Sequence, residues 1–152
     1  MEIPEITEFS SIYDVLDFAI KREAKANSFY LRIADMAQNP ELLDILKDFA
    51  EDELRHKTML EALKAGKIEI PEEKLGNLNM ANYVPDVDPH PNMTYTELLA
   101  LAIKKEDLSY RLYTDLAELA QTKELKDAFL KLSQQEAKHK LRFEVEFDLE
   151  SF

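Results

Sequence analysis

Four stretches of the chain carry apolar residues at alternating steps of four and three, the spacing that keeps side chains on one face of an α-helix. The first seam reads Ile12, Leu16, Ala19, Glu23, Ala26, Tyr30, Ile33, and the second Leu42, Leu46, Phe49, Glu53, His56, Leu60, Leu63. The third is Tyr95, Leu99, Ala102, Glu106, Ser109, Tyr113, Leu116; the fourth is Leu125, Phe129, Leu132, Glu136, His139, Phe143, with Glu146 near its end. Polar residues fill the intervening positions, so each stretch is predicted to be an amphipathic helix that buries one face. With 2 glycines in 152 residues and few strand-like alternations, the chain reads as all-α and as one domain over 1–152.

Local chemistry sets the expected boundaries at about 11–38, 40–65, 94–120 and 123–147. Asn39-Pro40 supplies a capping side chain and then the proline favoured at a first helical position. Gly66 is a helix terminator, and Thr94-Tyr95-Thr96-Glu97 has the pattern of a capping box. The segment 67–93 contains Pro71, Pro85, Pro89 and Pro91 and is too rich in proline for one helix. At about 3.3 Å per residue it can run the roughly 40 Å length of a neighbouring helix. The other two connections are tight. Two antiparallel hairpins joined by one long crossover are therefore expected, rather than a simple up-down bundle.

The two hairpins repeat. A shift of 83 residues lays Ala19-Ile20-Lys21-Arg22-Glu23 on Ala102-Ile103-Lys104-Lys105-Glu106, and Tyr30 on Tyr113. Without a gap, the same shift lays Glu53 on Glu136 and His56 on His139. An approximate internal two-fold axis is expected.

Each apolar seam is interrupted near its middle by a glutamate, and in the second and fourth helices a histidine follows three positions later. Four antiparallel helices bring Glu23, Glu53, His56, Glu106, Glu136 and His139 to one level of the core. Burying a single carboxylate costs several kcal/mol, and four together add mutual repulsion. Two divalent cations would balance that charge, and carboxylate with imidazole suits iron or manganese. A lone Glu-x-x-His on a helix is more often a surface feature than a ligand pair. Six such residues placed symmetrically on four apolar seams favour the metal reading over solvated charges.

Composition narrows the field further. There is no cysteine, so disulfides, thiolate metal sites and cysteine-ligated clusters within this chain are excluded. The formal charge of −12 argues against nucleic acid or an anionic membrane as partner. The longest apolar run, Leu98 to Ile103, is far too short to span a bilayer, and Met1-Glu2-Ile3-Pro4-Glu5 has no leader character. A cytoplasmic location is the expectation.

The elements Glu53-Leu54-Arg55-His56 and Glu136-Ala137-Lys138-His139, with Glu23 and Glu106, resemble the di-iron ligand set of rubrerythrin and bacterioferritin-type proteins. That resemblance implies a ferritin-like four-helix bundle holding two iron ions, with manganese the alternative. It also implies bridging roles for Glu53 and Glu136, terminal roles for Glu23 and Glu106, and one histidine per metal. Tyr30 and Tyr113 are placed like tyrosines of the rubrerythrin domain that orient glutamate ligands; the alternative for each is an ordinary core aromatic.

Two departures stand out. Where rubrerythrins carry an extra glutamate one turn past the third-helix ligand, this chain has Ser109, and no cysteine is present for a rubredoxin centre. The implied activity is reduction of hydrogen peroxide or oxygen, with electrons from an external donor protein and protection from oxidative stress as its outcome. A ferroxidase subunit of an iron-storing assembly, a di-iron oxygenase and a metal-free interaction bundle are the alternatives. A two-fold homodimer is the expected assembly. His90, in Asp88-Pro89-His90-Pro91, is expected to be a loop residue rather than a ligand.

Overall fold

The computed structural model describes residues 11–66, 68, 70–76 and 78–151, and its frame is four long helices. Helix α1 spans Ile12–Met36, α2 Pro40–Ala65, α4 Tyr95–Leu119 and α5 Lys123–Glu150. The crossover carries a short helix α3, Glu72–Leu75, and a 3-10 turn, Met80–Tyr83. No described helix is long and apolar enough to cross a membrane.

Each long helix starts where a side chain takes over an unsatisfied backbone N–H. Ser11 accepts from the Asp14 amide at 3.2 Å, Asn39 from Glu41 at 2.9 Å and Thr122 from Leu125 at 3.2 Å. The capping box of α4 is complete: the Glu97 amide donates to Thr94 Oγ1 at 3.1 Å, and the Thr94 amide to Glu97 Oε1 at 3.0 Å. Gly66 ends α2 with an extended backbone, so its freedom to turn left-handed is not used.

Helices α1 and α2 pack as one hairpin, α4 and α5 as the other, and α1 meets α4 across the middle of the bundle. The crossover is less irregular than its prolines suggest. Its Ile70, Leu75, Leu78 and Tyr83 are buried and close one end of the core with Leu16, Leu116 and Phe129. The Tyr83 hydroxyl donates to Asp115 Oδ2 at 2.6 Å, which pins the segment to α4. At the other end Phe29, Ile33, Leu46, Leu99 and Phe143 form a second apolar cluster. The core is thus two separate apolar bodies, and the layer between them is polar.

Helix α5 runs three residues past the expected 147, to Glu150. The extension follows from burial. Glu146 is only 7% exposed, and the Tyr95 hydroxyl donates to its Oε1 at 3.4 Å, so the last turns are held against α4.

The two kinds of stabilisation differ in size. Phe129 is fully buried, so Phe129→Ala should lower the unfolding free energy by about 3–5 kcal/mol in denaturant titration. Thr94→Ala, which removes half of a surface capping box, should cost about 1 kcal/mol. Equal losses would mean that the end of the core is not closed as described.

Candidate metal centre

The polar layer between the two apolar bodies is built by the middles of the four long helices. Glu23 comes from α1, Glu53 and His56 from α2, Glu106 from α4, and Glu136 and His139 from α5. All six are buried, none more than 3% exposed. Every ligand-type residue expected from the sequence is therefore brought to the same place. His90 is exposed on the crossover and takes no part; its carbonyl accepts from Arg32 Nη2 at 2.6 Å.

The six side chains sort into two quartets. Glu23, Glu53, His56 and Glu136 form one; Glu53, Glu106, Glu136 and His139 form the other, each with candidate ligand atoms within 4.8 Å of one another. Glu53 and Glu136 belong to both. His56 Nδ1 lies 2.9 Å from Glu136 Oε1 and 3.5 Å from Glu23 Oε2. His139 Nδ1 lies 2.9 Å from Glu53 Oε1 and 3.7 Å from Glu106 Oε1.

Each of these approaches is an ion pair only when the imidazole is protonated. Among the described residues, Glu23 Oε2, Glu53 Oε1, His56 Nδ1, Glu106 Oε2, Glu136 Oε1 and His139 Nδ1 are all buried without a hydrogen-bond partner. Orphaned polar atoms in a core cost on the order of 1–3 kcal/mol each, more when charged. Six of them converging on one small volume is what a cation-binding cluster requires. The donor set of carboxylate oxygens and imidazole nitrogens fits a pair of iron or manganese ions.

The far sides of the imidazoles fix how they present themselves. His139 Nε2 is 2.9 Å from Asp52 Oδ2, a carboxylate that can only accept, so Nε2 carries the proton and Nδ1 offers its lone pair inward. His56 Nε2 meets Gln135 Oε1 and is oriented the same way. Asp52 and Gln135 each stand one residue before a glutamate of the cluster and cross over to the histidine of the other hairpin. Neither residue was singled out in the sequence, although the shift of 83 that aligns the ligands also aligns this pair. Such partners set the tautomer and basicity of a ligating histidine.

The tyrosines behave differently from one another. The Tyr113 hydroxyl donates to Glu23 Oε1 at 2.5 Å, across from α4 to α1. By the internal symmetry Tyr30 would face Glu106, yet the Tyr30 hydroxyl is buried without a partner. Its ring packs on Phe143 at 5.0 Å and edge-on to His139 at 6.3 Å. Ser109, half-buried, accepts from Arg22 Nη2 at 2.8 Å, so a guanidinium stands beside this position.

Electrostatics record the strain of a cluster without cations. Burial, with the charges of Glu136 and Glu23, holds the Glu53 carboxyl well above the usual range. Burial also raises Glu106, where Glu136 opposes the rise and Glu23 adds to it, and raises Glu136, where the charges of Glu106 and Glu23 add to it. Burial alone would lower His56, but the carboxylates of Glu136 and Glu23 raise it to about 10. His139 is lowered, chiefly by burial. Glu23 falls despite its burial, because Glu53, His56 and Tyr113 favour its charged form.

The fold and this cluster define a four-helix carboxylate protein of the ferritin-like class. The chain belongs to the rubrerythrin family, whose family model matches residues 14–147. A solved structure of a hypothetical protein from Pyrococcus furiosus shares the fold at a TM-score of 0.71 and 24% identity, covering 91% of this chain and 89% of that one. No curated protein matches the chain.

The titrations give a sign for the metal-free protein. His56, raised from 6.5 to about 10, contributes stability that is present below pH 6.5 and lost as pH rises through about 10. Glu53, Glu106 and Glu136, also raised, act in the same direction; Glu23 and Asp52, lowered, act only on the acid side. The denaturation midpoint of chelator-treated protein should therefore fall between about pH 7 and about pH 10. A flat midpoint across that range would count against the cluster as described.

Proposed function

We propose that the chain is a non-haem di-iron oxidoreductase that reduces peroxide or oxygen with electrons from a separate donor protein. The observation that carries this reading is the sharing of Glu53 and Glu136 between the two quartets, which would let those carboxylates join two ions. Glu23 with His56 would complete one position, and Glu106 with His139 the other. Two iron ions held there would supply the pair of electrons that cleaving an O–O bond consumes.

The side chains prepare this chemistry. Asp52 and Gln135 lock both imidazoles with Nδ1 facing inward, so neither has to reorient when cations arrive. Tyr113 holds one oxygen of Glu23 and leaves Oε2 directed at the cluster. The Tyr30 hydroxyl, without a hydrogen-bond partner among the described residues, keeps its proton free to donate, and its ring stands edge-on to His139. The two apolar bodies above and below exclude bulk water, which keeps the electrostatics strong. Because the chain has no cysteine, a thiolate-based electron relay is not expected in it, which supports an external donor.

Anaerobic loading with Fe(II), followed by rapid mixing with peroxide or oxygen, tests the reading. Two irons per chain should bind, and peroxide should oxidise them faster than oxygen does. Faster oxidation by oxygen would favour ferroxidase or oxygenase chemistry, and failure to bind iron would sink the proposal.

A variant separates the cluster's two states. In metal-free protein Glu53→Gln removes a carboxyl repelled by Glu136 and Glu23, so its unfolding midpoint should rise. With Fe(II) present the order should reverse: the parent binds two ions and gains about 4 kcal/mol per ion at a thousandfold excess over Kd, and the variant less. A Glu53→Gln protein that still binds two ions at parental affinity would remove Glu53 from the ligand set.

A further inference from the structure

A cavity of about 850 Å³ opens between α1, α4 and the crossover. Its walls are largely apolar, with Phe18, Phe29, Tyr83 and Val84 among them, and its inner end reaches Tyr30 and Glu106. Four cations also line it: Arg22, Lys25, Arg32 and Lys105. On a chain of net charge −12 this concentration of positive charge is out of character. Apart from Glu106 at the floor, the only acidic residue on the lining is Asp88.

None of the four is matched by a carboxylate at ion-pair distance among the described residues, although the charges of Glu23, Glu136 and Glu106 reach Arg22 through space. Arg22 donates to three neutral acceptors: the Tyr83 carbonyl at 2.5 Å, Ser109 Oγ at 2.8 Å and the Lys105 carbonyl at 3.4 Å. Arg32 donates to the His90 carbonyl. Lys105 Nζ lies 4.6 Å over the Phe29 ring. Among the described residues no carboxylate forms an ion pair with any of the four. Arg22 and Lys105 are also equivalent under the shift of 83 residues, so the internal two-fold sets two like charges face to face between α1 and α4. Juxtaposed cations in a half-buried apolar pocket are unfavourable until an anion joins them.

The volume points to the class of ligand. It lies within the usual range for organic-ligand pockets and far exceeds what oxygen or peroxide needs. We propose that this pocket binds an organic carboxylate, its head group held by Lys105, Lys25 and Arg22 and its apolar body laid against Phe18, Phe29 and Val84. A molecule seated there abuts Tyr30 and Glu106, at the edge of the buried cluster. Binding as such needs no metal, so the outcome here and the outcome of iron loading are independent.

Calorimetric titration of the purified protein with octanoate, octan-1-ol and inorganic phosphate tests the assignment. Octanoate should bind one per chain, with octan-1-ol and phosphate each weaker by about tenfold or more. The double variant Lys25→Gln, Lys105→Gln should weaken octanoate by a similar factor, as the outward-facing Lys131→Gln should not. Lys105→Arg, which keeps the charge, should retain binding if the double variant folds poorly. Octan-1-ol binding as tightly as octanoate would mean an apolar hole without anion recognition, and phosphate binding as tightly would mean that the apolar walls play no part. Either result, or no binding of octanoate, overturns the proposal.

Discussion

Four carboxylates and two imidazoles sit in one layer of an otherwise apolar bundle, and most other features of the molecule answer to that layer. Desolvation and mutual repulsion make the layer unfavourable by itself, which the raised carboxyl groups of Glu53, Glu106 and Glu136 register. Packing must supply the deficit when cations are absent. It does so from both sides: aromatic and aliphatic residues of α1, α2, α4 and α5 close over the layer at one end, and the crossover closes the other. The burial of Ile70, Leu75 and Leu78 gives this connection a structural task beyond spanning a distance.

The internal repeat explains why the layer is complete, and its departures explain why the layer is not symmetrical. One hairpin places a glutamate on one helix and Glu-x-x-His on the next; two copies face to face make two quartets that share their middle carboxylates. The surroundings then diverge. His139 leans on the carboxylate of Asp52, whereas His56 leans on the neutral amide of Gln135. Tyr113 holds Glu23, whereas Tyr30 holds nothing. A carboxylate partner makes an imidazole the stronger donor, so ions bound at the two positions would sit in unequal fields. Chemistry that takes two electrons from a pair of ions has no need of identical ions.

The fold and the six clustered side chains were legible in the sequence because both rest on periodicity. A seam that alternates by four and three, broken at a fixed place by Glu or Glu-x-x-His, states which face is buried and which buried residues are charged. The caps at Asn39 and Thr94 state where two of the helices begin, and those starts fall where expected. Features set by contacts distant in the sequence were not legible. Asp52 and Gln135 look like ordinary surface polar residues until the opposite hairpin is in place. The buried helical turns of the crossover carry too short a pattern to stand out among prolines. Glu146 falls on the fourth seam where the helix was expected to run out, and only the approach of Tyr95 shows that its turn is packed.

Arg22 brings these strands together. Its neighbour Glu23 points into the cluster, yet Arg22 itself reaches back to tie α1 to α4 through Ser109 and to the crossover through the Tyr83 carbonyl. Three segments that the repeat alone would leave loosely joined are thereby fixed around one guanidinium. The negative charges of the cluster partly compensate it: Glu23, Glu136 and Glu106 all favour its charged form against burial. Cations taken up by the cluster would consume that same negative charge. The electrostatic balance of the buried layer extends to the surface through a single residue that belongs to neither quartet.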